Sequence, residues 1–168
     1  MRVSYGNYLC QGGQVEVLHK GGWVDIAKAN ARDILQVRRW TLGYISQFLR
    51  VVPRVSTLNV VAEPLIMRGV DGATARDQAA VMLTRVNLPE SLWHLAPATF
   101  SGGEQQRVNI ARGFVADYPV MLPDEPTASL DQANREAVLD LIRSSKAARR
   151  ALVGIFQDDD TRAGSCDR

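Results

Sequence analysis

Apolar and polar positions change period several times along this chain. Val15 and Val17 alternate with Gln14 and Glu16, which predicts a short strand. His19-Lys20-Gly21-Gly22 predicts a turn, and Trp23-Val24-Asp25-Ile26 a return strand. Over 31–39, Ile34, Leu35 and Val37 predict a short helix, with Arg38-Arg39 at the C-terminal end where cations suit the helix dipole. Leu42-Gly43-Tyr44-Ile45-Ser46 predicts a buried strand leading into Gln47. The period then turns helical. Leu58, Val61, Leu65 and Ile66 mark one run, and Ala75, Ala79, Met82, Leu83 and Val86 a second. Asp71-Gly72 separates the two runs, and Pro89 and Pro97 punctuate the stretch after them, so 57–96 is expected to form a small inserted helical subdomain. A helix over about 103–116 precedes the short strand Val120-Met121-Leu122. The last helix is predicted to start at the N-cap Asp131, to bury Ala133, Ala137, Val138, Leu141 and Ile142, and to end between Lys146 and Arg150. The run from Ala151 to Phe156 then reads as a strand. Helices alternating with short apolar strands predict an α/β fold around a mainly parallel sheet.

Composition narrows the class. The chain has 168 residues, of which 46% are hydrophobic and 23% charged, so one globular domain with a real core is expected and disorder is not. Twenty Lys and Arg against 18 Asp and Glu leave a formal charge of +2, which argues neither for a nucleic-acid wrapper nor for an acidic tail, and no nucleic-acid partner is expected. Cys10 and Cys166 lie near opposite ends without metal-like spacing, which fits reduced thiols in a cytoplasmic protein. No apolar stretch approaches the roughly 20 residues needed to cross a bilayer, so direct membrane insertion is not expected. The first residues lack the apolar run of a signal peptide.

Chemistry concentrates in two places. Ser101-Gly102-Gly103-Glu104-Gln105-Gln106-Arg107 opens a helix. Two glycines allow close backbone approach, and free N–H groups at a helix N-terminus favour an anion such as a phosphate. The same spacing also makes Ser101 and Glu104 a capping box, a purely structural alternative. Further on, Asp124-Glu125 ends the apolar strand. A carboxylate there is where a phosphoryl-transfer site places its metal-organising Asp, and the next carboxylate can position the attacking water. An isolated Asp-Glu is as readily a solvated turn. Here, however, Pro126-Thr127-Ala128-Ser129-Leu130-Asp131 continues it into a helix.

These residues resemble the motifs of ATP-binding-cassette (ABC) ATPases. Ser101-Gly102-Gly103-Glu104-Gln105 is similar to the signature motif, Asp124-Glu125-Pro126-Thr127 to the Walker B segment, Ser129-Leu130-Asp131 to the D-loop, and Gln47 to the Q-loop glutamine. The resemblance implies a P-loop-NTPase-like nucleotide-binding domain over 1–168, with the helical subdomain at about 57–96. It implies ATP and Mg²⁺ as ligands, Gln47 and Asp124 at the metal, and Ser101, Gly102, Gly103, Gln105 and Asp131 at the nucleotide. It implies catalytic roles for Glu125 and for Gln157, which stands where the family has its switch histidine. The partner implied is a second copy or a related ABC subunit. A narrower resemblance, carried by Gly43–Arg54, Asn87–Leu95 and Arg107–Phe114, is to the PhnL subunit of the bacterial phosphonate carbon–phosphorus lyase system, whose other subunits would then be partners.

The chain also departs from the family pattern. No Gly-x-x-x-x-Gly-Lys-[Ser/Thr] occurs in the 168 residues, so the lysine and hydroxyl of a P-loop are not supplied here. Tyr5-Gly6-Asn7-Tyr8-Leu9 looks like the segment just after a P-loop helix, and the domain is therefore expected to be incomplete at its N-terminal side. Gln157 can hydrogen-bond a γ-phosphate but cannot be protonated. Pro123 replaces an aliphatic residue directly before Asp124. Asp158-Asp159-Asp160 reads as a solvated charge run, and Trp93 and His94 as packing residues. The expected function is an ATP-binding subunit of the phosphonate system that is not competent alone. The alternatives are a transporter ATPase of lipoprotein-release or importer type, or a non-catalytic copy with a scaffold role.

Overall fold

The computed structural model describes residues 4–6, 12–50 and 53–155. Cys10, Cys166, Phe156, Gln157 and Asp158–Asp160 lie outside the described residues. Strands β1 (Glu16–His19) and β2 (Gly22–Asp25) pair antiparallel, with Val17 opposite Val24 and Leu18 opposite Trp23. Helix α1 (Ala31–Trp40) leads into β3 (Leu42–Ile45). Helices α2 (Thr57–Met67) and α3 (Gly72–Arg85) come next, then two short 3₁₀ turns at Glu90–Leu92 and Pro97–Thr99. Helix α4 (Gly102–Phe114), β4 (Val120–Pro123), α5 (Gln132–Ala147) and β5 (Ala151–Leu152) complete the order.

β3, β4 and β5 form a parallel sheet in that spatial order, Leu42 opposite Val120 and Met121 opposite Leu152. Successive side chains of a strand point to opposite faces, and β4 shows this directly. Met121 joins the larger core with Ile45 of β3 and with Val61, Leu83, Val108, Ile110, Val138 and Ile142 from α2–α5. Leu122 turns the other way, onto Ile26, Val37 and Leu42. Helix on one face and helix plus hairpin on the other is how a parallel sheet is normally covered.

The helices begin where short polar side chains satisfy their free N–H groups. Asn30 accepts from the Asp33 amide, Asp71 from Ala73 and Thr74, and Asp131 from Asn134. At α2 the job falls to distant backbone: the Thr57 and Leu58 amides donate to Leu95 and Trp93 carbonyls.

Several pattern-based expectations shift. Ala133, Leu35, Ile66 and His94 are exposed, and Leu139, outside the predicted buried set of α5, is buried. Trp93 does pack against the core, and its indole N–H donates to the Leu88 carbonyl. The apolar run from Ala151 pairs as a strand only through Leu152. The cause is Pro123, the last residue of β4. In the parallel register the amide at 123 would donate to the Val153 carbonyl, and proline has none. Pairing resumes one rung later as an isolated bridge between Asp124 and Ile155.

Candidate functional site

The C-terminal ends of β3 and β4 lie side by side, which brings Gln47 and the Asp124-Glu125 pair together. The Tyr44 hydroxyl donates to Asp124 Oδ2 at 2.9 Å, and Gln47 Nε2 donates to Glu125 Oε2 at 3.3 Å. Gln47 is exposed, and both carboxylates are half-buried. Glu125 sits at φ +50°, in the left-handed region, which costs a non-glycine residue about 1–2 kcal/mol. Its amide is held by the Ile155 carbonyl at 3.0 Å. Strain of this kind is common where a side chain must be aimed.

Helix α4 holds this rim from beneath. Gln106, buried, donates to the Pro126 carbonyl at 3.1 Å, and Asn109, also buried, donates to the Ser46 carbonyl just before Gln47. A buried carbonyl left without a donor costs about 1–3 kcal/mol, so these amides anchor the two loops in register. At its start, α4 carries Ser101, Gly102 and Gly103. Ser101 and Glu104 form a complete capping box: the Glu104 carboxylate accepts from the Ser101 amide at 2.8 Å and from its hydroxyl at 2.7 Å. Gln105 Nε2 donates to the Phe100 carbonyl at 3.0 Å. The capping reading is therefore real for the free chain, and Ser101 remains exposed at the helix mouth.

A Cβ on Gly103 would lie 3.1 Å from the Ser129 carbonyl, so the 101–103 turn lies close against the loop that ends in Asp131. Asp131 is occupied as the cap of α5, taking the amide and the Nδ2 of Asn134. The Oδ1 of Asn134 in turn accepts from Arg107 of α4 at 3.3 Å and from Asn87 at 3.4 Å. The structure thus places Gln47, Asp124 and Glu125 on one rim, and Ser101–Gly103, Gln105 and Asp131 around the start of α4. Gln157 falls outside the described residues.

Tyr44, Gln106, Asn109, Asn134 and Arg107 were not picked out by the motifs. One signal was available for two of them. Gln106 and Asn109 are polar residues at i and i+3 on a helix whose core face should be apolar, a pattern that marks buried polar ties.

Hydrogen bonding also sets the charge state. The Ser101 hydroxyl, and then its amide, hold the Glu104 carboxyl below the ordinary range. The Asn134 amide does the same for Asp131, and the Thr74 and Ala73 amides for Asp71. Burial pushes the Tyr5 and Tyr118 hydroxyls up, with nearby Arg38 and Arg68 opposing it. A carboxyl whose folded value is depressed adds stability above its unfolded value and loses it as pH falls through the folded value. Helix content is therefore expected to fall below about pH 4, where unfolded Asp and Glu titrate. Circular dichroism of Asp71→Asn, Glu104→Gln and Asp131→Asn variants checks this: each should flatten the acid slope, and unchanged slopes would show that these caps do not carry it.

Among the described residues no cluster of three or more His, Cys, Asp or Glu side chains forms a metal cage, and no helix is long and apolar enough to cross a membrane. A hard cation that keeps waters and takes phosphate oxygens needs only one or two protein oxygens. Asp124 with the Gln47 amide oxygen offers that kind of donor set.

A family model described as ABC transporter matches residues 1–128. The lipoprotein-releasing system ATP-binding protein LolD of Shewanella sp. (strain MR-4) is 41% identical over 119 residues, covering 71% of this chain and 51% of the relative. LolD of Legionella pneumophila (strain Paris) is 39% identical over 138 residues, covering 82% and 60%. The chain thus spans about half to three fifths of the length of these curated relatives. The fold matches the dimeric structure of the ATP-binding cassette MJ0796 in a post-hydrolysis state bound to ADP and Pi. That match has a TM-score of 0.86 at 24% identity, over 98% of this chain and 71% of the other.

Proposed function

The chain belongs to the ABC transporter family, and from that premise we propose that it is an ATP-binding subunit contributing part of a nucleotide site shared with a second subunit. The observation that carries this reading is the convergence of Gln47, Asp124 and Glu125 on one rim, locked there by Tyr44 and Asn109. In this reading Asp124 and Gln47 face Mg²⁺, and Glu125 orients and polarises the attacking water. The metal's part is to neutralise charge on the phosphates. Ser101, Gly102, Gly103 and Gln105 present helix N–H groups and polar side chains to the nucleotide held by the other subunit, and Asp131 fixes the loop beside them. The subunit that holds that nucleotide is then a related ABC subunit that carries a P-loop, since a second copy of this chain would lack one as well; the dimeric state named for the MJ0796 cassette supports such pairing. Gln157 would face the γ-phosphate as a neutral donor.

The relatives favour service to a membrane permease of the lipoprotein-release type over the phosphonate assignment. A groove of about 300 Å³ suits that role. It runs between α2 and Arg112, is lined by Val55, Val60, Ile66 and Met67, and leaves Ile66 and Met67 exposed for a permease segment. A cytoplasmic place beside the membrane fits this reading. A second reading keeps one specific support: the runs Gly43–Arg54, Asn87–Leu95 and Arg107–Phe114 resemble the carbon–phosphorus lyase ATPase, which would make the same groove a seat for a cytosolic enzyme subunit.

Thermal shift with Mg-ATP tests the shared-site proposal. This chain alone is expected to show no stabilisation, because no phosphate-cradling lysine loop occurs in its sequence. Addition of a P-loop-bearing ABC subunit should produce ATP-dependent association, measured by sedimentation and lost in Ser101→Arg. A shift of several degrees in the chain alone, abolished by Ser101→Arg, would mean that it binds nucleotide unaided.

A further inference from the structure

The backbone that aims Glu125 is held differently from the rest of the sheet. Along β4 and the residue just before it, the main-chain groups that face β5 are spaced by two. Pro119, Met121 and Pro123 offer carbonyls to the amides of Ala151, Val153 and Ile155 at 2.9, 3.0 and 3.0 Å. A parallel ladder would return donors from the same β4 residues. Met121 lies in register with Leu152 and keeps its rung, but Pro123 has no N–H to give the Val153 carbonyl. The next donor is the amide of Glu125 itself, which reaches the Ile155 carbonyl at 3.0 Å. One rung is therefore missing between the continuous ladder and the bond that fixes Glu125.

Two further observations fall on the same spot. Glu125 is in the left-handed region at φ +50°, so its conformation depends on being held. Its holder, Ile155, is 45% exposed, as Val153 is at 57%, with exposed Gly154 between them. On the Ile155 side no buried side chain replaces the missing rung, whereas beyond Glu125 the Pro126 carbonyl is held by buried Gln106 at 3.1 Å. The Asp124 amide, by contrast, donates to the Ile45 carbonyl on the buried β3 side, and the Tyr44 hydroxyl meets its carboxylate. Asp124 and Glu125 are neighbours held by different strands.

We infer that the main chain of Ile155 is the positioning element for Glu125, and that Pro123 lets the two bonds of Ile155, from its amide to the Pro123 carbonyl and from the Glu125 amide to its carbonyl, open and close together independently of the sheet, releasing Glu125 while Asp124 stays fixed. The assignment of a catalytic part to Glu125 rests on the function proposed above; the backbone behaviour does not. In the open form the left-handed turn at Glu125 relaxes and its carboxylate leaves Gln47. In the closed form the pair is aligned.

Residue-resolved amide hydrogen exchange of the 168-residue chain, without nucleotide, tests this. The Glu125 and Ile155 amides should exchange at least about tenfold faster than those of Asp124 and Val153, reporting a local opening. In Pro123→Leu, which restores the donor, both should slow by about tenfold, while Asp124 and Val153 stay as they were. Pro123→Ala restores the donor without added bulk and should show the same slowing, which guards against misfolding of the leucine variant. Equal rates at Glu125, Ile155, Asp124 and Val153 in the parent chain would overturn the inference. So would a restored donor that leaves Glu125 and Ile155 unslowed. Because no nucleotide is present, a chain that proves not to serve an ATP site leaves this result standing and removes only its catalytic meaning.

Discussion

Gly113→Val is expected to cost about 3 kcal/mol of stability, roughly 6–12 °C in melting temperature for a chain of this size. Gly113 sits on α4 where the helix crosses the sheet. A Cβ there would lie 2.4 Å from Ile45 Cγ1 and 3.0 Å from its Cδ1, with Met121 Cε at 3.6 Å. Ile45 is fully buried and branched at Cβ, so it has no room to turn aside. Replacing a helical glycine ordinarily gains up to about 1 kcal/mol, so the measured loss is the clash minus that gain. Gly102 is the control: a Cβ there meets nothing within 4 Å, and Gly102→Ala should leave the melting temperature unchanged or slightly raised. Ile45→Ala should recover part of the loss in the Gly113→Val background, because the two side chains compete for one space. A Gly113→Val protein melting with the parent would show that α4 does not lie this close to β3.

The second large effect concerns turnover. In an assembly that hydrolyses ATP through the proposed site, Glu125→Gln is expected to lower the hydrolysis rate by about 10²-fold or more. Glutamine keeps the size, and its amide oxygen still accepts from Gln47 Nε2, but it takes no proton from water. ATP-driven association should survive or strengthen, since the nucleotide contacts proposed for Ser101–Gly103 are untouched. Steady-state hydrolysis alongside sedimentation separates the two quantities. Hydrolysis at the parent rate would remove Glu125 from the reaction and leave the site a binding device.

Much of the fold could be read in the residue pattern because local chemistry and tertiary structure agree there. Ser101 with Glu104, and Asp131 before an amphipathic run, mark helix starts through hydrogen bonds that close within three residues. Ala75, Ala79, Leu83 and Val86 lie on one helical face and are all buried. The failures have physical causes of their own. Ala133 fits the apolar stripe of α5 but stands in its first turn, where the capped end reaches solvent. The run from Ala151 has strand composition throughout, yet its pairing is cut by a proline on a different strand.

The candidate site divides in the same way. Gln47, Ser101–Gly103, Asp124-Glu125 and Asp131 were visible as motifs, since each short run carries its own chemistry. Their mutual placement was not. Tyr44 reaches Asp124 across 80 residues of chain, and Asn109 reaches Ser46 across 63. Such bonds leave no local signature, because the sequence between the partners is free to vary while the ends meet.

By itself, then, the sequence determined the α/β class, the family motifs and the caps that start the helices, all of which depend on residues within a turn or two of each other. Only the tertiary structure decided which loops share a rim, that Glu125 is held in the left-handed region by Ile155, and that Pro123 interrupts β5 rather than β4. Those outcomes turn on hydrogen bonds between strands and across a helix–sheet contact, and a missing donor shows its effect only on the strand that needed it.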